Sequence, residues 1–288
     1  MQCDLCPRNC KINRDVSNGY CGVSNNIKIA RAALHFWEEP IISGDKGSGT
    51  IFFSGCTLKC VYCQNFEISR GFGKEISVDR LVEIMKELEE KGANNINLVT
   101  PTHFVNQIIK ALDIYRPNVP IVYNTSGYEK IETLKKLEGY VDVYLPDLKY
   151  SDNNLSQKYS KVSDYFEMAT KAILEMKRQQ PKDVIENGLM KKGVIVRHLV
   201  LPNAIQNTLG VLQWITNNLD KDSYISLMGQ FIPYGEAKDI AELNRKIKPV
   251  EYKLAINKLL EKDFNNSFIQ DIESASEDFI PSFDLEGV

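Results

Sequence analysis

The chain of 288 residues is 43% hydrophobic and 25% charged, which is an ordinary globular composition with enough sequence to bury a large core. Its formal net charge of -3 gives no overall electrostatic reason to bind nucleic acid or an anionic membrane. The chain opens without a basic and apolar leader, and it contains no run of about 18 apolar residues. We therefore expect a cytoplasmic protein with no signal peptide, no membrane span and no nucleic-acid partner.

All seven cysteines lie within the first 63 residues, in a group of four followed by a group of three. An odd number at short spacings is a poor disulfide framework but suits two metal sites in a reducing compartment. The first group lies on a loop-rich segment too small for its own core, so we expect it to need a metal to fold. Structural zinc and an iron-sulfur cluster both accept four thiolates, and the spacing does not separate them. The four are Cys3, Cys6, Cys10 and Cys21.

The second group of cysteines follows a short apolar stretch. Residues 26–43 predict an extended lead-in, and the glycine-rich loop 44–49 leads to a first strand at Ile51–Phe53. Three cysteines then come at the spacing C-x3-C-x2-C. A closed zinc site and a ferredoxin cluster each use four protein ligands, so three indicate a metal centre with one position left for a substrate. The three are Cys56, Cys60 and Cys63.

After the cysteines, short apolar strands alternate with amphipathic helices, which is typical of parallel β/α units. We predict further strands at 95–99, 119–123, 141–145, 194–199 and 224–228. We predict helices from a Ser77 cap to Gly92, from Thr100 through Leu112, at 131–137, near 163–178, near 206–218 and within 235–264, where Pro249 begins the last helix. A polar connector is expected at 179–192. About six such units predict an α/β fold, a partial (β/α)6 TIM-like barrel with its active site at the carboxyl ends of the strands.

We divide the chain into three parts. Residues 1–43 are the Cys-rich metal-binding segment with its lead-in, residues 44–264 are the barrel, and residues 265–288 are an acidic tail. The tail contains no Lys or Arg, which is typical of disorder, but it is too apolar for a solvated segment. We therefore expect it to dock on the barrel. Its apolar residues are Phe268, Ile269, Phe279, Ile280 and Phe283.

The three-cysteine motif has an aromatic residue, Tyr62, directly before its last cysteine. With its position after a first strand, this pattern resembles the signature of radical S-adenosylmethionine (SAM) enzymes. The flanking stretches Gly49–Cys56 and Cys63–Asn65 resemble the pyruvate formate-lyase activating enzymes, in particular their PflX-like members. The resemblance covers most of the chain.

This resemblance implies an oxidoreductase with a [4Fe-4S] cluster on Cys56, Cys60 and Cys63, and with SAM on the iron that has no protein ligand. In the resembled enzymes an electron from the cluster splits SAM into methionine and a 5′-deoxyadenosyl radical. That radical removes hydrogen from carbon centres that acid-base chemistry does not reach. The resembled branch uses it to activate glycyl-radical enzymes.

Several strand ends match places where the resembled enzymes hold SAM. Thr100 and Thr102 lie where that family usually has a Gly-Gly-Glu segment, which is absent here. Residues 124–127 lie where the activating enzymes carry Asp-Thr-Asn-Gly, and residues 147–149 match their Asp-Leu-Lys. Asn124 lacks the charge that helps those enzymes hold a monovalent cation. The residues expected to contact SAM are Tyr62, Asn65, Thr100, Thr102, Thr125, Ser126, Asp147, Lys149 and Arg197.

These residues also have structural interpretations. The segment around Thr102 is typical of a helix start, and Asp147 of a capping or paired acid. Arg197, at a strand end, suits either two hydrogen bonds to a carboxylate or a buried structural ion pair. His198 points to the opposite side of that strand, where we expect a structural role. Gln230 and Tyr234 are weaker candidates for substrate contacts.

A radical SAM enzyme needs a protein reductant, so we expect a flavodoxin or ferredoxin as a partner and a glycyl-radical protein as the substrate. Another protein, a peptide or a small molecule is the alternative substrate. From other classes of protein, an iron-sulfur electron carrier or a zinc binding module remains open. The carrier needs neither six β/α units nor an open iron, and the binding module is more often basic.

Overall fold

The computed structural model describes residues 2–276 and 280–288. The strands in these residues are β1 (Ile27–His35), β2 (Ser48–Phe53), β3 (Lys74–Ile76), β4 (Ile96–Val99), β5 (Ile121–Thr125), β6 (Val143–Pro146), β7 (Val184–Glu186), β8 (Leu189–Leu199), β9 (Tyr224–Met228) and β10 (Asn266–Ile269). The helices are α1 (Pro40–Ser43), α2 (Phe66–Ser69), α3 (Val78–Glu90), α4 (Val105–Ile114), α5 (Ile131–Lys136), α6 (Asn153–Ser160), α7 (Tyr165–Gln179), α8 (Ile205–Asn218) and α9 (Pro249–Leu260). None of these helices is long and apolar enough to cross a membrane.

The strands form one sheet in the order β10-β9-β8-β6-β5-β4-β2-β1-β3, with β7 attached to β8. From β2 to β10 every neighbouring pair along this path is parallel, whereas β1 and β3 are antiparallel. All six strands predicted from the sequence are present. The prediction of an α/β fold with a mostly parallel sheet is therefore confirmed.

Side chains alternate between the two faces of this sheet, as they do along any strand. In β5, Tyr123 belongs to the large core formed with the helices, whereas its neighbour Val122 packs on the opposite face. There Val122 meets Ile42 of α1, together with Val143 and Ile195 of the adjoining strands. The short helix α1 thus covers part of the second face, and the polar residues of the same strands share that face.

Local signals that the sequence contains are found in the structure. The hydroxyl of Ser77 accepts a hydrogen bond of 3.0 Å from the backbone N–H of Arg80 and caps α3. Pro249 occupies the first turn of α9. The rest of 235–264 is less helical than predicted, since 235–239 is a 3-10 turn and 240–248 has no helix.

The polar connector predicted at 179–192 is wrong in part, because β7 and the start of β8 pair there as an antiparallel hairpin. Its turn is Asn187-Gly188, with φ values of +53° and +77°. A two-residue turn of this type needs positive φ at both positions, and Asn-Gly tolerates this best. The dipeptide is a signal for this turn in the sequence, but β7 has only three residues and the start of β8 carries Lys191 and Lys192, so neither forms an apolar run.

The predicted lead-in is β1, a full strand of the sheet that pairs with β2 from Ile29 to His35. The acidic tail also contacts the sheet. Its β10 pairs with β9, and its last part reaches β1, where the N–H of Leu285 donates to the carbonyl of Ala30 at 3.1 Å. Phe279 lies outside the described residues. The predicted boundaries at 43 and 264 stay predictions, and each separates strands that pair with one another.

Gly127 lies in the loop after β5 and packs against the loop after β6. Substitution of this glycine tests how closely the two loops approach each other. Gly127 has a φ of +78°, and a Cβ there would lie 2.3 Å from the carbonyl oxygen of Asp147. Gly139 has a similar φ of +85° but nothing within 4 Å of such a Cβ. We expect Gly139→Ala to cost about 1–2 kcal/mol through its backbone alone. We expect Gly127→Ala to cost about 1–3 kcal/mol more through overpacking.

The free energy of unfolding in urea measures both costs. Equal losses in the two variants would contradict the close approach of the loop after β5 to the loop after β6.

Candidate active site

The second face of the sheet borders a cavity of about 550 Å³. Residues of seven parallel strands or of the loops that follow them line it, and so does the segment between β1 and α1. The strand alternation explains which side chains enter. Asn124, Arg197 and Ser226 line the cavity, whereas their neighbours Tyr123 and Val196 face the helices. A single cavity bordered by so many strands fits the predicted barrel-like curvature.

The three-cysteine loop forms one wall of this cavity, since Cys56, Cys60 and Cys63 all line it. The backbone N–H groups of Leu58 and Lys59 lie 3.4 and 3.5 Å from the sulfur of Cys56. The hydroxyl of Ser160 lies 2.9 Å from the sulfur of Cys60. These donors suit thiolates better than neutral thiols.

Burial raises the pKa of Cys60 and of Cys63, and the neighbouring cysteines raise it further. Negative sulfurs at these positions are therefore unfavourable unless a cation compensates them. All seven cysteines of the chain are free thiols. By the chemistry of their donor atoms, the three residues fit an iron-sulfur cluster with an open iron.

Across residues 2–276 and 280–288, no three or more His, Cys, Asp or Glu side chains are grouped so that they could hold a metal ion. A cluster differs from a single ion, because each of its cysteines binds a separate iron and the ligands lie farther apart. The finding therefore leaves the ligand roles of the second cysteine group as predictions. The thiols of the first group, which lie in the described part of the chain, are likewise not grouped around one point, as a single zinc ion would require, so the metal of that group also stays a prediction.

The N-terminal segment packs directly on the three-cysteine loop. The guanidinium of Arg8 donates to the carbonyl oxygens of Thr57, Ser160 and Lys161 at 2.8, 3.0 and 2.6 Å. The N–H of Cys56 donates to the carbonyl of Cys21 at 3.2 Å. The first cysteine group is thus held next to the second.

Within that segment two of the four thiols face one turn. A Cβ on Gly19 would lie 3.3 Å from the sulfur of Cys21 and 3.8 Å from that of Cys10. Cys6 and Cys21 are buried, whereas Cys3 and Cys10 are partly exposed. Burial raises the pKa of Cys6 to about 12.

Arg197 forms the centre of a buried polar network. Its Nε donates to Asp147 at 2.9 Å, one terminal nitrogen donates to Glu38 at 3.0 Å, and the other donates to Asn124 at 2.7 Å. Lys149 donates to the second oxygen of Asp147 at 2.5 Å. Burial alone would raise the pKa of Asp147, but the charges of Arg197 and Lys149 hold it below its usual value. The structure thus shows the buried ion pair that the sequence leaves open for Arg197.

Eight of the nine residues predicted to contact SAM line the cavity with the cysteines. Thr102 does not. It lies in a buried 3-10 turn, and its hydroxyl donates to Glu129 at 2.5 Å, so its predicted SAM contact stays a prediction for which this side chain has another partner. Gln230 also lines the cavity, whereas Tyr234 does not. The eight are Tyr62, Asn65, Thr100, Thr125, Ser126, Asp147, Lys149 and Arg197.

The buried histidines have structural partners. His103 contacts the carbonyl of Ser54 at 2.8 Å, and burial lowers its pKa to about 3. His198 contacts the carbonyl of Leu148 and the hydroxyl of Thr208, at 2.7 and 2.9 Å, on the helix side of β8. The structural role expected for His198 agrees with these contacts.

Two features of the cavity region were not predicted from the sequence. The first is the pair Glu38 and Glu39, which lines the cavity from the segment before α1. Two adjacent acids directly before Pro40 are a signal that the sequence contains. Glu129 lies buried behind Thr125, whose hydroxyl donates to it at 2.5 Å. Nothing in its local sequence distinguishes Glu129 from an exposed acid near a helix start.

The chain is similar in sequence to a known protein family and to an archaeal protein. The family described as the Radical SAM superfamily matches residues 50–198. An uncharacterized protein of Methanocaldococcus jannaschii is 32% identical over 279 residues, which cover 93% of this chain and 77% of that protein.

Two solved structures share the fold. Native anSMEcpe with bound AdoMet has a TM-score of 0.51 and 17% identity, covering 75% of this chain and 61% of that one. Streptococcus suis SuiB bound to S-adenosylmethionine has a TM-score of 0.50 and 14% identity, covering 77% of this chain and 51% of that one. The chain thus spans between 51% and 61% of these two solved structures.

Glu129 provides a pH test of the buried region behind the cavity. Burial raises its pKa from 4.5 to about 7, so the folded protein keeps a proton that the unfolded chain releases. The resulting stability is complete below pH 4.5 and is lost as the pH rises through about 7, by about 3 kcal/mol. We expect Glu129→Gln to be more stable than the wild type at about pH 8 and to differ less at about pH 5.

Urea unfolding at both pH values measures this difference. Glu132→Gln, which removes an exposed carboxyl from the neighbouring α5, is the control. An identical pH slope in Glu129→Gln and the wild type would show that Glu129 does not retain its proton.

Proposed function

The chain belongs to the radical SAM superfamily, and on that premise we propose that it cleaves SAM at a [4Fe-4S] cluster held by Cys56, Cys60 and Cys63. The observation that carries this proposal is the convergence of these three thiols, from C-x3-C-x2-C, on one wall of a large polar cavity. When bound, the cluster supplies the electron that splits SAM into methionine and a 5′-deoxyadenosyl radical for hydrogen abstraction. The protein is then an oxidoreductase.

The residues around the cavity would bind and orient SAM and keep water away from it. The strand ends at Thr100, Thr125 and Ser126 offer hydroxyl and backbone groups next to the cysteines. Asp147 is ionised and fixed by Arg197 and Lys149, so it accepts hydrogen bonds without moving. We assign the eight cavity-lining residues named above to the SAM side of the site.

Asn124 stands where the resembled activating enzymes have an acid. Its amide donates to Glu38 at 3.0 Å, and its oxygen accepts from Arg197. Both polar ends of this side chain therefore have partners within the protein. A monovalent cation near SAM would have to displace one of these contacts, which makes the cation the least supported part of the resemblance.

Activation of a glycyl-radical protein is our proposal for the overall reaction. The flanks of the cysteine motif support it, because they resemble the activating enzymes. Modification of another protein, a peptide or a small molecule is the alternative within the same chemistry. A non-catalytic electron carrier or a zinc module would not need the large cavity beside the cysteines. A flavodoxin or ferredoxin is the proposed source of the electron.

We further propose that Cys3, Cys6, Cys10 and Cys21 hold a second metal site, either zinc or an iron-sulfur cluster. The three hydrogen bonds of Arg8 support a site that is fixed relative to the three-cysteine loop. Zinc would stabilise the packing of the N-terminal segment on the three-cysteine loop. An iron-sulfur cluster at the same place would do so too, and it could also exchange electrons with the cluster on that loop. Residues 1–43 would then act as one metal-binding segment, with 44–264 as the barrel and 265–288 as its docked tail.

The triple variant Cys56→Ala, Cys60→Ala, Cys63→Ala tests both metal sites. After anaerobic reconstitution, we expect the wild type to release 5′-deoxyadenosine from SAM in the presence of dithionite and the triple variant to release none. We expect the variant to retain zinc or iron on its N-terminal cysteines, measured by elemental analysis. Glu132→Gln, reconstituted in parallel, controls for handling.

Two outcomes would contradict these proposals. If the wild-type protein has its full iron content and forms no 5′-deoxyadenosine, the proposal that it is a radical SAM enzyme is wrong. A folded triple variant with neither zinc nor iron would remove the second metal site.

The substrate proposal has its own test. Incubation of the reconstituted protein with SAM, reductant and a glycyl-radical protein should produce a glycyl-radical signal in electron paramagnetic resonance. Formation of 5′-deoxyadenosine without this signal, for every glycyl-radical protein that co-purifies, would favour the alternative substrates. The triple cysteine variant is the matched negative control.

A further inference from the structure

The segment between β1 and α1 brings two adjacent carboxylates to the cavity. Glu38 and Glu39 both line it, and α1 follows them directly. Ile42 of α1 is anchored on the cavity face of the sheet among Val122 and Ile195. The position of the two acids is therefore fixed by packing rather than by a free loop.

The two carboxylates differ in how well they are satisfied. Glu38 accepts hydrogen bonds from Asn97, Asn124 and Arg197 at 3.1, 3.0 and 3.0 Å. The side chain of Glu39 is only 7% exposed. Its Oε2 has no hydrogen-bond partner among the residues that the structure describes, and it lies 3.9 Å from the nearest nitrogen of Arg197. This oxygen therefore has no donor among those residues at hydrogen-bond distance, although the side chain of Ser226 lies close enough to lower the pKa of Glu39 against the effect of burial.

Ionisation of Glu39 would leave an excess of negative charge around this oxygen. Three carboxylates, on Glu38, Glu39 and Asp147, share two cations, Arg197 and Lys149, and both cations already donate to Asp147. Burial raises the pKa of Glu39, so ionisation of this carboxyl is costly in the free protein. An unpaired buried carboxylate is among the least favourable groups in a protein interior. A cation with N–H donors would satisfy both its charge and its free oxygen.

The two acids and the cysteines reach the cavity from different segments of the chain. Glu38 contacts Asn97, which lies two residues before the end of β4, whereas the cysteines follow the carboxyl end of β2. SAM must lie against the cysteine loop if it binds the open iron. We take the part of the cavity beside Glu39, which adjoins the SAM side at Arg197, as the place of the molecule that gives up hydrogen.

We propose that Glu39, held in place by α1 and Glu38, binds a primary ammonium or guanidinium group of the hydrogen-donor substrate. The proposal rests on the proposed function, because it assigns a substrate to the same cavity. A free amine and the side chain of a lysine or arginine in a peptide share this chemistry. Neutral or anionic groups would leave the charge of an ionised Glu39 uncompensated.

Ligand-observed nuclear magnetic resonance with the reconstituted protein tests the proposal. The probes are 1-aminobutane, Nα-acetyl-lysine amide and, as a neutral isostere, 1-butanol. We expect at least one of the two cations to bind about tenfold or more tightly than 1-butanol, as a charge-assisted hydrogen bond provides. Binding of the free amine alone would identify a small molecule, and binding of the lysine derivative alone would identify a peptide side chain.

The matched variants are Glu39→Gln, which keeps the shape and removes the charge, and Glu132→Gln, which removes an exposed charge on α5. We expect Glu39→Gln to lose about tenfold or more of the amine affinity and Glu132→Gln to lose none. If Glu39→Gln unfolds at a lower temperature, Glu39→Asp is the second variant, and it should retain the preference for amine over alcohol. In that case the proposal is judged by the preference for amine over alcohol in the wild type and in Glu39→Asp.

Three results would overturn the proposal: equal binding of amine and alcohol, unchanged amine affinity in folded Glu39→Gln, or displacement of the amine by S-adenosylhomocysteine. The last result would place the cation at the SAM end of the cavity. Release of 5′-deoxyadenosine from SAM without substrate is measured in the same samples. Failure of that reaction would count against the proposed function, whereas failure of amine binding alone would count only against the Glu39 subsite.

Discussion

The cavity depends on one buried guanidinium. Arg197 projects from β8 and donates to Asp147 after β6, to Asn124 at the end of β5 and to Glu38 before α1. Removing such groups from water costs several kcal/mol for each ion, and only good geometry with complete hydrogen bonding repays it. The network is therefore satisfied only when all four segments are in their final places. On the cavity face of the sheet, this polar network lies next to the apolar contacts between Ile42 and Val122.

The second dependence is between the two cysteine groups. Arg8 and the carbonyl of Cys21 bind the loop that carries Cys56, and a Cβ on Gly55 would lie 2.7 Å from that carbonyl. The N-terminal segment also reaches α5, where the hydroxyl of Thr133 donates to the carbonyl of Leu5 at 2.8 Å. The geometry of the proposed cluster loop is thus coupled to the folding of the first cysteine group.

The sequence predicted what repeats locally. Apolar runs predicted six of the seven parallel strands, and Ser77 and Pro249 marked helix starts through contacts within one turn. It failed where the signal lay outside the segment itself. Thr102 has the same sequence character as a cofactor contact, but the hydroxyl meets Glu129 in the folded chain. In the sequence, Glu39 has the pattern of a surface acid before a proline. It is buried only because α1 packs on the sheet.

By itself the sequence determined the chemistry that is available, because C-x3-C-x2-C supplies three thiols within eight residues and leaves a fourth position open. It also determined the parallel β/α order, which needs only periodic apolar residues. Only the tertiary structure decided which polar groups meet. Glu38 and Arg197 are 159 positions apart, and their contact requires the register of β8 and the anchoring of α1 together. A contact of this kind depends on packing between distant segments, so no local pattern encodes it.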